Sequence, residues 1–351
     1  MKTYGFGIIG CGMISDFHSA AIANIKNGEL VAVSSRKAEN SQRLVDYYGI
    51  QAHSDYNEML NRDDIDIVCV CTPSGAHMEP AVAAAEAGKH VIIEKPLEIT
   101  LERCDTIIES CEKTNVRLCT IFNSRFSDAS QLVKDTVSSG RLGQLTLGDA
   151  YVKWYRSQDY YDSGDWRGTM ELDGGGAMMN QSIHAIDFLQ YVMGPVRSVQ
   201  AFTDTLAHER IDVEDVAVAA LRFENGALGV IEGTTAVYPG SLKKFEFSGT
   251  KGTIVLEEED IITWEFEEEK PEDAEIKKQF SERKSGGGGA SDPRAINHDN
   301  HCRQMTNLIQ SIENNTPHLV DGREGRKAVE IILAIYQSSK TGKTVHLPLY
   351  S

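Results

Sequence analysis

Three observations predict an α/β chain of two domains. Strand and helix signals alternate through the first 120 residues. A glycine loop follows the first strand. After residue 123 the alternation gives way to strands joined by short turns. Residues 1–123 therefore read as a Rossmann domain, a doubly wound parallel sheet. Residues 124–351 read as an α+β domain with an open, mostly antiparallel sheet.

The N-terminal elements follow in order. Residues 5–9 form an apolar strand and 15–27 a helix; 30–34 is a strand and 38–48 a helix. A continuous apolar strand at 65–71 precedes an alanine-rich helix at 76–87. Strand 90–93, helix 101–113 and strand 117–122 complete the set. Beyond it, a helix at 128–138 leads to a strand at 145–155. The segment 174–187 reads as a helix led by three glycines. Strands follow at 199–205, 216–223, 227–234, 244–248, 252–257 and 261–266, and helices at 301–313 and 324–339 close the chain. Both alternating faces of 216–223 are largely apolar, so the face turned away from the domain's own helices needs a cover. A second copy of the chain is the simplest one. Residues 281–294, rich in glycine and serine, read as a flexible loop.

Composition narrows the class. Of 351 residues, 41% are hydrophobic and 25% charged, as in ordinary globular proteins, and the net charge of −17 opposes nucleic acid and anionic membranes. No apolar run approaches the roughly 20 residues that span a bilayer. The N-terminus runs straight into a strand, so a cytoplasmic location is expected. The seven cysteines include no Cys-x-x-Cys pair and read as buried thiols; no metal is expected.

Gly10-Cys11-Gly12-Met13-Ile14-Ser15 joins the first strand to the first helix, the context of a dinucleotide loop. Gly10 permits the turn, and Gly12 lets the backbone approach a pyrophosphate at the helix N-terminus. The second strand lacks the terminal acid that binds a ribose diol. Ser35 and Arg36 stand there instead and favour NADP(H), with NAD(H) possible. Thr72-Pro73 and Glu94-Lys95-Pro96 end two strands at the sheet's carboxyl edge, where ligands bind in open α/β sheets. A lysine there can stabilise charge developing on a substrate oxygen. In the glycine-led segment, Asn180 and His184 are four residues apart on one face, while Met179, Ile183 and Ile186 form an apolar face.

Together these residues resemble the Gfo/Idh/MocA family (glucose–fructose oxidoreductase, inositol dehydrogenase, rhizopine catabolism). The matching pieces are Gly10-Cys11-Gly12, Thr72-Pro73 with His77, Glu94-Lys95-Pro96, and Gly175-Gly176 through Asn180, His184 and Asp187. Asp321-Gly322-Arg323-Glu324-Gly325 also looks family-like. The resemblance implies hydride exchange between nicotinamide and a secondary alcohol carbon of a sugar, nucleotide-sugar or cyclitol. It implies His184 as general base, suited by an ordinary imidazole pKa of about 6.5, and Lys95 as the group polarising the same oxygen. Asn180 stands where many members carry Asp, so it positions substrate and takes no proton. With Asp165-Trp166-Arg167-Gly168 it looks like a branch that includes nucleotide-sugar 3-dehydrogenases acting on UDP-N-acetylglucosaminuronate. Arg167 reads as a contact for a carboxylate or the cofactor, or as a structural ion pair. The cofactor set comprises Gly10, Cys11, Met13, Gly12, Ile14, Ser35, Arg36, Thr72, Pro73, His77, Glu94, Lys95 and Asn123, with Arg125 beside the nicotinamide. Asp187 either orients His184 or serves structure elsewhere. The family's second domain is expected to bind substrate and to build a homodimer or homotetramer through its sheet. An NAD-using glycosidase and a non-catalytic dinucleotide-dependent regulator are the alternatives on the same fold.

Overall fold

The computed structural model describes residues 2–281 and 298–349, which fall into two compact units. One comprises Met1–Asn123 with Asn297–Val329, the other Ser124–Ile296 with Glu330–Ser351. Most of the loop expected at 281–294 lies outside the described residues.

The first unit runs β1 (Tyr4–Ile9), α1 (Met13–Ala23), β2 (Gly28–Ser34), α2 (Ala38–Tyr48), β3 (Gln51–His53), α3 (Tyr56–Leu60), β4 (Ile67–Val70), α4 (Met78–Glu86), β5 (His90–Ile93), α5 (Leu101–Thr114) and β6 (Leu118–Thr120). Its sheet has six strands in the order β3-β2-β1-β4-β5-β6, all parallel. β1 and β4 are buried along their whole length, which is why they read as continuous apolar runs. The short β3 and α3 carry too few apolar residues to leave a periodic signal.

The second unit continues with α6 (Asp128–Ser138), β7 (Leu145–Lys153), α7 (Gln158–Asp162), α8 (Ile183–Met193), β8 (Val196–Asp204), β9 (Val216–Phe223), β10 (Leu228–Thr234), β11 (Lys244–Gly249), β12 (Gly252–Glu257), β13 (Asp260–Phe266) and α9 (Pro271–Ser281). Later come α10 (Asp299–Asn314), α11 (Gly322–Thr341) and β14 (Val345–His346). The sheet order is β13-β12-β11-β7-β10-β9-β8-β14, antiparallel except for the β7–β10 pair.

The stretch 297–329 lies within the residues expected to form the second domain, yet it clusters with the first unit. The cause is burial: Met305, Leu308 and Ile309 of α10 join the core of Phe6, Ile8 and Ile22. Gln304 on the same helix donates to the Thr120 carbonyl at 2.7 Å and accepts from the Phe122 amide at 3.1 Å, so it completes the end of β6. The glycines of the Asp321–Gly325 motif face β6 as well. A Cβ at Gly322 or Gly325 would collide with Leu118 or Thr120.

One face of the second sheet is buried through Ala201, Ala219, Ile231, Ala150 and Phe245, which are cross-strand neighbours. The opposite face exposes Phe202 (75%), Val218, Leu228 and Leu147. The alternation of β9 thus divides as expected, with an apolar outer face left open. Among the described residues, no helix is long and apolar enough to cross a membrane.

Candidate active site

Gly10 sits at φ +95°, and a Cβ there would press on the Cys71 carbonyl, so both backbone and space demand glycine. Gly12 caps α1, and a Cβ on it would meet nothing within 4 Å. This open space before a helix N-terminus suits a pyrophosphate. Ser15, at the third position of the fingerprint, is fully buried and donates to the Gly12 carbonyl at 2.6 Å. Arg43 of α2 donates to the carbonyls of Cys11 at 3.1 Å and Gly12 at 2.7 Å and so braces the loop. Nothing in its sequence neighbourhood marks it for that task. Ser35 donates to the Lys37 carbonyl, and Arg36 is exposed at the end of β2.

At the carboxyl edge, His77 joins two turns. Its Nε2 lies 2.9 Å from the Thr72 carbonyl and its Nδ1 2.9 Å from the Pro96 carbonyl. Both partners only accept, so a protonated ring satisfies both and a neutral ring satisfies one. Burial pushes this imidazole down from its ordinary range, against the pull of nearby Glu98. The ring is 1% exposed, and its hydrogen bonds hold the Thr72-Pro73 and Lys95-Pro96 turns together.

Glu94 is buried beside Lys95. Its Oε1 accepts from His18 Nε2 at 2.7 Å, and its Oε2 accepts from the Lys95 backbone amide at 3.1 Å. His301 Nε2 of α10 lies 3.7 Å from the same Oε1, while its Nδ1 is 3.1 Å from Asn123 Nδ2. Burial alone would raise the Glu94 carboxyl; His18 and His301 override it and hold the group well below the usual carboxylate range. Sequence reasoning identified Glu94, Lys95 and Asn123 but missed His18 and His301, which share a carboxylate across long sequence separations.

In the second unit the glycine-led segment begins differently from the expected α-helix. Residues Ala177–Ser182 form a π-helical turn, and α8 starts at Ile183. Asn180 thus belongs to the wider turn and His184 to the first turn of α8. Such π turns frequently mark functional sites. Met179, Ile183 and Ile186 are buried, as their spacing required.

Glu214 pins the start of this turn. Its carboxylate accepts from the amides of Gly176 at 3.0 Å and Met178 at 2.7 Å, and from the Tyr336 hydroxyl at 2.9 Å. Burial pushes the Glu214 carboxyl up, and these donors offset part of that rise. Gly175 has φ +155°, and a Cβ there would collide with the Tyr336 hydroxyl. Asn180 donates through Nδ2 to the buried Asp173 and accepts at Oδ1 from Gln181 at 2.8 Å. An Asp at 180 would set a second carboxylate against Asp173, so Asn fits here where Asp would be repelled. Arg156 in turn donates to Gln181 Oε1 at 2.8 Å.

Residues 4–122 match the family model described as "Oxidoreductase family, NAD-binding Rossmann fold", and residues 130–255 match "GFO/IDH/MocA C-terminal domain". The chain is 35% identical to the WlbA dehydrogenase of Bordetella pertussis, crystallised with NADH and UDP-GlcNAcA. That match covers 99% of each chain, with a TM-score of 0.91. The chain belongs to the Gfo/Idh/MocA family of oxidoreductases. The myo-inositol 2-dehydrogenase of Thermotoga maritima is 29% identical over 97% of this chain and 98% of its own length. The D-glucoside 3-dehydrogenase of Escherichia coli is 27% identical over 97% and 96%.

Within this Gfo/Idh/MocA chain two expectations change. Arg125, expected at the nicotinamide, is 1% exposed and forms a two-point ion pair with Asp187, at 2.8 and 2.6 Å. Each carboxylate oxygen of Asp187 accepts one hydrogen bond from Arg125. Arg167 forms no ion pair among the described residues. It lies over the rings of Tyr160 and Trp166 at 4.9 and 4.8 Å and donates to Ser163. All seven cysteines are free, and burial pushes the Cys11 thiol up to about 11 and Cys119 up to about 12, so they act as packing groups.

Proposed function

We propose that this oxidoreductase oxidises a secondary alcohol of a carbohydrate, within the branch acting on nucleotide-linked uronic acids. The likeness to a dehydrogenase crystallised with NADH and UDP-GlcNAcA carries the reading, together with an Asn at 180 held by Asp173. NAD(P), when bound, supplies the hydride acceptor. The dinucleotide loop receives it at Gly10, Cys11, Gly12, Met13 and Ile14, with Thr72, Pro73 and Asn123 at the carboxyl edge. His184 takes the hydroxyl proton at its ring. Lys95 donates to the same oxygen and offsets its growing charge. Asn180 orients the sugar without exchanging a proton. A screen of sugars, cyclitols and nucleotide-sugars, read by nicotinamide absorbance with both cofactors, tests this. Reduction driven by a UDP-linked uronate supports the reading. Turnover confined to neutral cyclitols, or glycoside cleavage without net nicotinamide reduction, overturns it.

Arg167 is the proposed contact for the substrate's negative charge, because its guanidinium has rings beneath it and, among the described residues, no ion-pair partner. Arg167→Met is expected to raise KM for an anionic substrate roughly tenfold or more, the loss of one charge-assisted hydrogen bond. KM for a neutral sugar should stay within about twofold.

The absent acid after β2 supports use of NADP(H), and the NADH held by the relative supports NAD(H). Arg36→Ala is expected to weaken NADPH binding about tenfold and leave NADH binding unchanged, by fluorescence titration. Equal effects on both would remove Arg36 from 2′-phosphate recognition. We also propose that the open face carrying Phe202, Val218 and Leu228 pairs with a second copy, as a homodimer or homotetramer. Seven free cysteines suit a reducing cytoplasm.

A further inference from the structure

We propose that His18 and His301 are positioning residues for Lys95, acting through the shared Glu94 carboxylate; the inference rests on the role proposed above for Lys95. The donor atoms of His18, Glu94 and His301 all lie within 4.8 Å of one another, and all three residues are buried. Such a trio invites a metal, but its hydrogen bonds assign the protons otherwise. With its amide placed as described, Asn123 Nδ2 can only donate, so His301 Nδ1 accepts and its proton resides on Nε2, aimed at Glu94 Oε1. Turning the amide over would move that proton to Nδ1 and face a lone pair on the carboxylate, which is repulsive. His18 Nε2 needs a proton to donate to the same oxygen.

Two imidazole N–H groups therefore converge on one anion, and a cation there would have to displace both protons. The anion's second oxygen holds the Lys95 backbone amide. Lys95 is thus fixed at its main chain by a carboxylate that α1 and α10 hold from opposite directions of the sequence. Through Nδ1, His301 also holds Asn123, so one ring sets the places of two residues assigned to the reaction. A misplacement of about 1 Å in such a group costs on the order of a hundredfold in rate.

The test is a double-mutant cycle in kcat. His301→Leu is expected to lower kcat on the order of tenfold, with KM for the alcohol substrate within about twofold. His301→Gln, which offers both a donor and an acceptor, should recover most of the loss. In a Lys95→Met background, His301→Leu should cost clearly less than in the wild type, because only its hold on Asn123 is left to lose. An equal loss in both backgrounds, or an unchanged kcat in His301→Leu, overturns the inference. If His301→Leu does not fold, Glu94→Gln, which keeps the shape, replaces it in the same cycle under the same criteria. The kcat of Lys95→Met alone tests the role of Lys95 itself. An intact kcat there would sink that reading, whereas a collapse in kcat with equal losses in both backgrounds would sink only the positioning.

Discussion

His184→Ala is expected to lower kcat by roughly 10²- to 10⁴-fold, the usual contribution of a general base, which is the role we propose for this residue. The NADH dissociation constant should change little, because the role proposed for His184 is proton transfer from the substrate and not cofactor binding. The loss should fall on kcat and kcat/KM together, since proton removal matters in the transition state and not in binding. His184→Gln should be as poor as Ala, because it keeps a hydrogen bond but cannot take the proton. Either variant retaining near-wild-type kcat would remove His184 as the base. A large loss of NADH affinity would point to a disturbed fold.

The half of the site that lies close together in sequence was legible without the structure. Gly10, Gly12, Ser15 and the turns after β4 and β5 obey local rules of strand, glycine and helix N-terminus, so their residue types announce their places. The spacing of Asn180 and His184 was legible for the same reason, but the π turn was not. Burial of Met179, Ile183 and Ile186 constrains which side faces the core, and it does not report which carbonyl each amide reaches. The supports stayed hidden because they come from far along the chain. Glu214 reaches Gly176 across 38 positions, and Tyr336 reaches Glu214 across 122. His301 meets Asn123 across 178. No local pattern encodes such a meeting; only tertiary packing does. The same limit explains Arg125 and Asp187, two charged residues whose mutual burial no composition or period announces.

That pair yields the largest expected stability effect. Arg125 and Asp187 are each about 1% exposed, and the guanidinium also lies 4.4 Å from the centre of the Tyr191 ring. Arg125→Ala removes the fork and takes the guanidinium away from a buried carboxylate, at a cost of about 3–5 kcal/mol. In a thermal melt this is a fall of roughly 10 °C or more in the transition of the second unit. Arg125→Met with Asp187→Leu removes both charges and keeps most of the volume, so the double variant should regain most of that loss. If Arg125→Ala melted like the wild type, the carboxylate would have to find water or a proton at little cost, contrary to its burial. The double variant also separates stability from catalysis. Asp187 lies three residues beyond His184 on α8, so a double variant with restored melting but reduced kcat would show that the ion pair sets the pose of that helix. Full recovery of both would show that the pair serves the fold and does not set the pose of α8.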